Sequence, residues 1–401
     1  MPILPHYTQF NGRHYETGVI HNALAYQGFK APHTKQPLSE ALLMGISGGA
    51  VFGYFTFDYK GYDPHVVLLT RNTFDPLNTL LERLAIPQDW LQTSDARKGE
   101  RNLIEVLESG RPAIVWADIF SLPYNRLPAD KNWWGMLPLL VYGYENGQAH
   151  IADRSSQPLT VKAEELAQAR ARVKDDKFRI LALGKPDMSK LPAAVQKGIW
   201  QTINLYTEAP PKGARDNFGF AAYRKWAAML TNTRNKQSWE RLFAPGPRMY
   251  AALAGGMGQP GTFGWAMTAV ADRVLYADFL DEAAQILKKP QLKTAAEQFR
   301  ASSGAWRELA LASLPDEIPL FKESRELARR KHELFIEHGS AARAEIEQIE
   351  TRLRDIRAGV SQNFPLTHAE AAALRERLSQ QVLRVHNIEV KAIELLQTAM
   401  A

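Results

Sequence analysis

The 401-residue sequence contains no cysteine. That absence excludes disulfides, thiolate metal sites and any cysteine nucleophile. No apolar run reaches the roughly 20 residues that a membrane-spanning helix needs. The N-terminal stretch MPILPHYTQFNGRH lacks a basic start followed by an apolar core, so no secretory signal is expected and the location reads as cytoplasmic. Metal-ligand spacing is also missing. His332 and His338 do not share a helix face; His14 and His21 can, but no further donors accompany them, and a zinc site wants three or four. Neither a metal nor a cofactor is expected. Charge of one sign is scarce: 49 Lys and Arg against 43 Asp and Glu leave a net +6. The two signs alternate almost everywhere, which is the pattern of a solvated surface rather than of a nucleic-acid or membrane partner. No fixed-period repeat is visible.

What is present changes character near residue 185. Before it, short apolar runs alternate with turns and helices. RPAIVWADIF (Arg111 to Phe120) is a buried-strand candidate. PLLVYGYENGQAHIAD (Pro138 to Asp153) reads as a hairpin, because Asn146–Gly147 supplies the positive φ angles of a type I′ turn. AEELAQARARV follows as a helix. After the boundary LALGKPDMSKLP the pattern is helical, and WAMTAVADRVLYADFLDEAAQIL (Trp265 to Leu287) suits a largely buried helix. From about Ile318 the chain reads as two long charged helices broken around GVSQNFPLTHAE. There Pro365 stops the first, and Thr367 with Glu370 forms a capping box for the second. Leu327, Leu334, Ile346 and Ile349 make a narrow apolar stripe suited to a hairpin or an interchain seam. The expected domains are 1–185, 186–317 and 318–401, the last a helical hairpin that could assemble a homo-oligomer.

Two motifs look like chemistry and are better read as packing. GMGQPG matches the dinucleotide fingerprint in letters, but the fingerprint needs a preceding strand and a βαβ unit. Here it reads as a connector opening a helix at Thr262. Ser47 in GISGG resembles a nucleophile elbow, yet it follows a helix where the elbow needs a strand. Close backbone packing is the expectation. The mouth of the first helix is more informative. NGRHYETGVIHNALAYQGF (Asn11 to Phe29) leads into an apolar side of Val19, Ile20, Ala23 and Leu24. Tyr15 stands where many enzymes hold a nucleophile.

Four stretches occur in an order that resembles a known family: GRHYETGVIHNALAYQGF, LSEALLMGISGGAVFGYF, VWADIFSLPYN and LLVYGYENGQAHIADR. They are similar to the N-terminal domain of the butirosin-biosynthesis protein H family. NFGFAAYRKWAAML and DRVLYADFLDEAAQIL resemble the helical domain of unknown function that usually follows it. The resemblance spans about Pro5 to Leu311.

This resemblance implies an α+β chain: a papain-like, bacteriocin-peptidase-like domain, then an all-α domain with long C-terminal helices. It implies an acyltransferase scaffold that takes acyl groups from an acyl-carrier protein. The family's Cys-His-acid triad maps onto Tyr15, Leu137 and Asp153, so the first two members are replaced. A tyrosine hydroxyl with a reference pKa near 10 is a poor nucleophile at neutral pH, and leucine moves no proton. Tyr15 is then expected to plug or reshape the old cleft, and Asp153 to cap backbone or to pair with Arg154 or another base. His14, Glu16, Thr17, Glu40, Asp118 and Tyr124 are the candidate substrate-pocket residues, and Leu122 to Trp134 is an aromatic loop beside the cleft.

Three functions remain open on these residues. The first is an altered acyltransferase-family member in specialised biosynthesis, acting without a cysteine on a small-molecule or carrier-bound acyl substrate. The second is a pseudoenzyme that binds a carrier protein or ligand for a partner enzyme. The third is a structural subunit assembled through its C-terminal helices.

Overall fold

The computed structural model describes residues 3–60, 64–127, 134–208, 215–256 and 259–401. In chain order the first elements are α1 (Thr17–Tyr26), α2 (Glu40–Ile46), β1 (Ala50–Phe57), β2 (His65–Arg71), α3 (Pro76–Arg83), β3 (Gln88–Leu91) and α4 (Ala96–Glu108). Next come β4 (Ala113–Asp118), β5 (Met136–Glu145), β6 (Gln148–Ala152), β7 (Leu159–Lys162), α5 (Ala163–Arg170) and β8 (Ile180–Leu183). The rest is helical: α6 (Leu191–Thr207), α7 (Gly219–Thr231), α8 (Trp239–Leu242), α9 (Pro247–Ala254), α10 (Thr262–Ile286), α11 (Leu292–Ser313), α12 (Pro319–His338), α13 (Arg343–Val360) and α14 (His368–Met400). The chain is α+β, and two compact units interleave along it. Among the described residues no helix is long and apolar enough to cross a membrane.

One unit is made of Met1–Leu43, Leu77–Leu191 and Arg330–Glu350. Its sheet has the order β3-β8-β4-β5-β6-β7, with antiparallel pairing throughout. Every residue of β4 is buried, as expected of a central strand covered on both faces rather than one that alternates. β5 and β6 form the hairpin expected from Asn146–Gly147, whose φ angles of +49° and +72° are those of a type I′ turn. Helix α1 packs on β4 and β5 through Val19, Ile20, Ala23 and Leu24, each at most 3% exposed. That places the mouth of α1 beside the sheet.

The other unit comprises Met44–Pro76, Pro192–Arg329 and Thr351–Ala401. Its β1–β2 ribbon packs on α7 and α10, and α11 and α14 pack around them. At its centre lie two side chains with no exposure, Arg273 and Glu389. Arg273 Nε donates to Glu389 at 2.8 Å. Glu389 also accepts from Tyr206, Tyr223, Ser302 and Trp306, while Arg273 donates to the carbonyls of Thr70 and Val51. Burying two charges is costly, and this many hydrogen bonds are what offset it. Burial raises the Glu389 carboxyl pKa, but the neighbouring guanidinium outweighs it and holds the value down to about 2.

Several sequence expectations meet the structure here. Thr367 and Glu370 form the capping box of α14. Helix α10 opens at Thr262 after a two-residue antiparallel ribbon, Gly255–Gly256 with Gln259–Pro260; Met257 and Gly258 of the glycine motif lie outside the described residues. Ser47 donates to the Met44 carbonyl, and the backbone of Gly49 (φ +67°) packs so tightly that a Cβ would stand 2.3 Å from Thr202 Oγ1. The reading of the chain from about Ile318 to the GVSQNFPLTHAE break as one helix is corrected. A 3-10 turn, Gly339–Ala342, separates α12 from α13, because Gly339 takes φ +51° and lies against Ser155 and Leu159. The final helix, α14, is a core element, with Leu374, Leu378, Val382, Val385, Ile393 and Leu396 buried.

Candidate functional site

The site begins at the turn before α1. Gly12 and Gly18 have no side chains to separate them; a Cβ on Gly12 would stand 2.3 Å from the Gly18 carbonyl oxygen. The Gly12 N–H donates to the buried Asn22 side chain at 3.1 Å. Glu40, in the first turn of α2, then clamps the turn. It accepts from the backbone N–H groups of Arg13 (2.7 Å) and His14 (2.9 Å), and from Thr17 Oγ1 at 2.9 Å. A carboxylate at a helix N-terminus is favourable to the helix dipole, and here it engages donors at the helix mouth. Glu16 occupies the N-cap of α1 and its N–H donates to His14 Nδ1 at 3.3 Å.

Tyr15 projects from this turn onto Arg154, whose guanidinium carbon lies 4.4 Å from the ring centroid. Burial raises the Tyr15 pKa; Arg154 lowers it and Asp153 raises it again, with a net upward shift that keeps the phenol neutral. Arg154 follows the end of β6 in a left-handed backbone conformation, φ +54°, which non-glycine residues adopt sparingly. Its carbonyl accepts from Arg13 Nη1 at 3.1 Å. The guanidinium is fixed by Asp153 (Nε to Oδ1, 2.8 Å; Nη2 to Oδ2, 3.0 Å) and by Asn125 (Nη2 to Oδ1, 2.8 Å). Burial acts against its charge, but Asp153 and the flanking tyrosines outweigh this and keep Arg154 protonated.

Asp153 is 3% exposed. Besides Arg154 it accepts from Tyr124 Oη at 3.0 Å, and Tyr124 sits in a short 3-10 turn, Pro123–Asn125. Burial, then Asp153, pushes the Tyr124 phenol far above its ordinary value. The acid therefore pairs with Arg154, one of the partners expected once the imidazole is missing. Leu137 lies in β5 opposite Ala117 and offers no proton-transfer group.

The end of α12 closes over this cluster. Phe335 lies with its ring centroid 5.0 Å from the Arg154 guanidinium and 6.3 Å from the Tyr124 ring. The Ile336 carbonyl, near the helix C-terminus, accepts from the Ser156 N–H (2.7 Å) and Oγ (2.8 Å). Arg126 pairs with Glu347 of α13 at 2.6 Å. His332 is an exposed residue of α12 whose imidazole is partly desolvated; that burial, and then the Arg154 cation, lowers its pKa.

Of the residues singled out in the sequence, the fold brings Tyr15, Tyr124 and Asp153 into one cluster. It gathers His14, Thr17 and Glu40 at the helix mouth, with Glu16 beside them. Asp118 belongs to neither group. It ends β4 buried, accepting from Ser121 Oγ (2.6 Å) and the Gly135 N–H (2.9 Å). Of the loop Leu122 to Trp134, residues 128–133 lie outside the described residues. Phe335 and His332 were missed as site residues. The signal was faint: one aromatic in the charged run RRKHELFIEH. Among the described residues no three metal-ligating side chains group together.

Comparison with known families agrees with this architecture. A family model described as butirosin biosynthesis protein H, N-terminal, matches residues 14–154. A second, a domain of unknown function (DUF4872), matches residues 164–330. No curated protein matches the chain. Residues 14–154 include Tyr15, Leu137, Asp153 and Arg154, whereas Phe335 and His332 lie past the end of both matched regions. Residues 14–154 thus carry the butirosin biosynthesis protein H N-terminal domain, followed over residues 164–330 by DUF4872.

Proposed function

We propose that this chain is a non-catalytic, ligand-binding member of its biosynthesis-related, acyltransferase-like family. The observation that carries this reading is the engagement of Asp153. Both of its oxygens are bound to Arg154, and one also to Tyr124. In a triad, a carboxylate orients an imidazole that takes the nucleophile's proton. Here the carboxylate orients a guanidinium that stays charged, and the residue at the nucleophile position stacks on that guanidinium. Tyr15 has a raised pKa, and its ring meets the Arg154 guanidinium and the His14 ring without a hydrogen bond from its hydroxyl to either among the described residues, so the arrangement lacks the activation that nucleophilic catalysis needs. Glu40 at the helix mouth adds a negative charge where acyl transfer wants donors for an oxyanion.

The ligand on this reading is a small molecule or the loaded arm of an acyl-carrier protein, held for a partner enzyme. The test is to mix the full chain with an acylated carrier protein and an amine acceptor. Binding would be read by calorimetry and product by mass spectrometry. Association without acyl transfer is the expected result. Turnover above the spontaneous rate, abolished by Tyr15→Phe, would overturn it and restore a cysteine-independent acyltransferase.

A further inference from the structure

We propose that Arg154 is an oxyanion-recognition residue, and that its ligand carries a terminal carboxylate or phosphate. This rests on the binding reading above and names the ligand chemistry of the same site. Arg154 Nε and Nη2 are occupied by Asp153 and Asn125. Nη1 donates no hydrogen bond among the described residues, and the side chain is 19% exposed. Guanidinium groups bind carboxylates and phosphates through paired N–H donors in the plane of the fork. The rings of Tyr15 and Phe335 lie against the guanidinium, so a slim group arriving at the Nη1 edge fits better than a bulky one approaching a face.

Three further observations favour a built site. Arg154 is held in the left-handed region, a conformation with an energetic cost that surrounding contacts must sustain. Arg13 sustains it from the mouth of α1, donating to the Arg154 carbonyl and to Ser156 Oγ. His332, an exposed residue about one turn before Phe335, stands near enough to Arg154 for that cation to lower its pKa, which puts a second N–H donor in the neighbourhood. A purely structural ion pair would need none of these, and would be complete with Asp153 alone.

The probes are sodium phosphate and sodium butyrate, titrated at constant ionic strength into full-length protein labelled at arginine, and followed by NMR. Arg154→Lys identifies the Arg154 side-chain signals and serves as the second arm. Lysine keeps the charge beside Asp153 but cannot present the fork. The expected result is a saturable shift of the Arg154 signals with one or both anions. A response to phosphate alone assigns a phosphate-bearing ligand, and a response to butyrate alone a carboxylate. Arg154→Lys should bind the effective anion at least about tenfold more weakly, the worth of a hydrogen bond to a charged group. Unshifted Arg154 signals with both anions, or equal affinity in a folded Arg154→Lys protein, would overturn the proposal. If that variant does not fold, the titration of the unaltered protein still decides. Acyl turnover in the carrier-protein assay would refute the non-catalytic reading and leave this titration standing, and unshifted signals would do the reverse.

Discussion

Asp153→Asn separates a carboxylate that holds an arginine from one that serves a proton relay. In the structure this substitution removes the charge facing Arg154 and leaves one neutral amide oxygen where two carboxylate oxygens accepted; among the described residues Asn125 and two aromatic rings also remain on the guanidinium. Breaking a fully buried ion pair by removing one partner costs about 3–5 kcal/mol. The Arg154 side chain is 19% exposed and can recover part of its hydration. A loss of about 2–3 kcal/mol is therefore expected, near the worth of hydrogen bonds to a charged group. For a unit of this size that corresponds to a fall of about 5–10 °C in melting temperature. Tyr124→Phe, which removes one hydrogen bond to the same carboxylate, should cost about 1.5–3 kcal/mol. The assay is thermal unfolding followed by circular dichroism. A catalytic acid without a structural partner behaves differently, since its removal leaves stability unchanged or improved. If Asp153→Asn melts within about 1 °C of the parent, an effect too small for a lost charged pair, the ion-pair role is wrong.

Glu389→Ala leaves Arg273 charged and wholly buried, so a destabilisation of about 3–5 kcal/mol is expected from urea unfolding. Glu389 has a folded-state pKa near 2, below its ordinary 4.5. Its stabilising contribution is complete above the unfolded value and lost as pH falls from about 4.5 through about 2, which acid unfolding followed by tryptophan fluorescence would register. Tyr15→Ala should keep the fold and lose less than the about 3–5 kcal/mol typical of a fully buried aromatic, because Tyr15 is only half-buried; ligand affinity should change alongside. Gly49→Ala should destabilise by about 1–3 kcal/mol, since the backbone is left-handed and a Cβ collides with Thr202.

The parts of the fold that were legible in the sequence are those whose signal is local. The Asn146–Gly147 turn, the Thr367–Glu370 cap and the apolar side of α1 each depend on residues within a turn or two of one another. The pairing of Asp153 with its neighbour Arg154 was one of the alternatives legible for the same reason. Phe335 was not, because it reaches Arg154 from 181 positions along the chain and its own surroundings read as a solvated charged helix. The Arg273–Glu389 pair left a trace that went unread. Glu389 shares a face with Val385, Ala392, Ile393 and Leu396, and Arg273 with Val270, Tyr276, Ala277 and Leu280, all buried. A lone charge centred on an apolar helix face asks for a buried partner, although sequence alone does not say which. The break at Gly339 was hidden for a different reason. A glycine in a helical pattern is tolerable in itself, and only its contact with Ser155 and Leu159 explains the turn.

The most direct test of the central claim, that this site binds without covalent chemistry, is the intact mass of the full-length protein after incubation with an acyl-carrier protein loaded through a thioester. The expected result is an unchanged mass at every time point. A stable acyl adduct mapping to any residue between Asn11 and Phe29, above all to Tyr15, would contradict it.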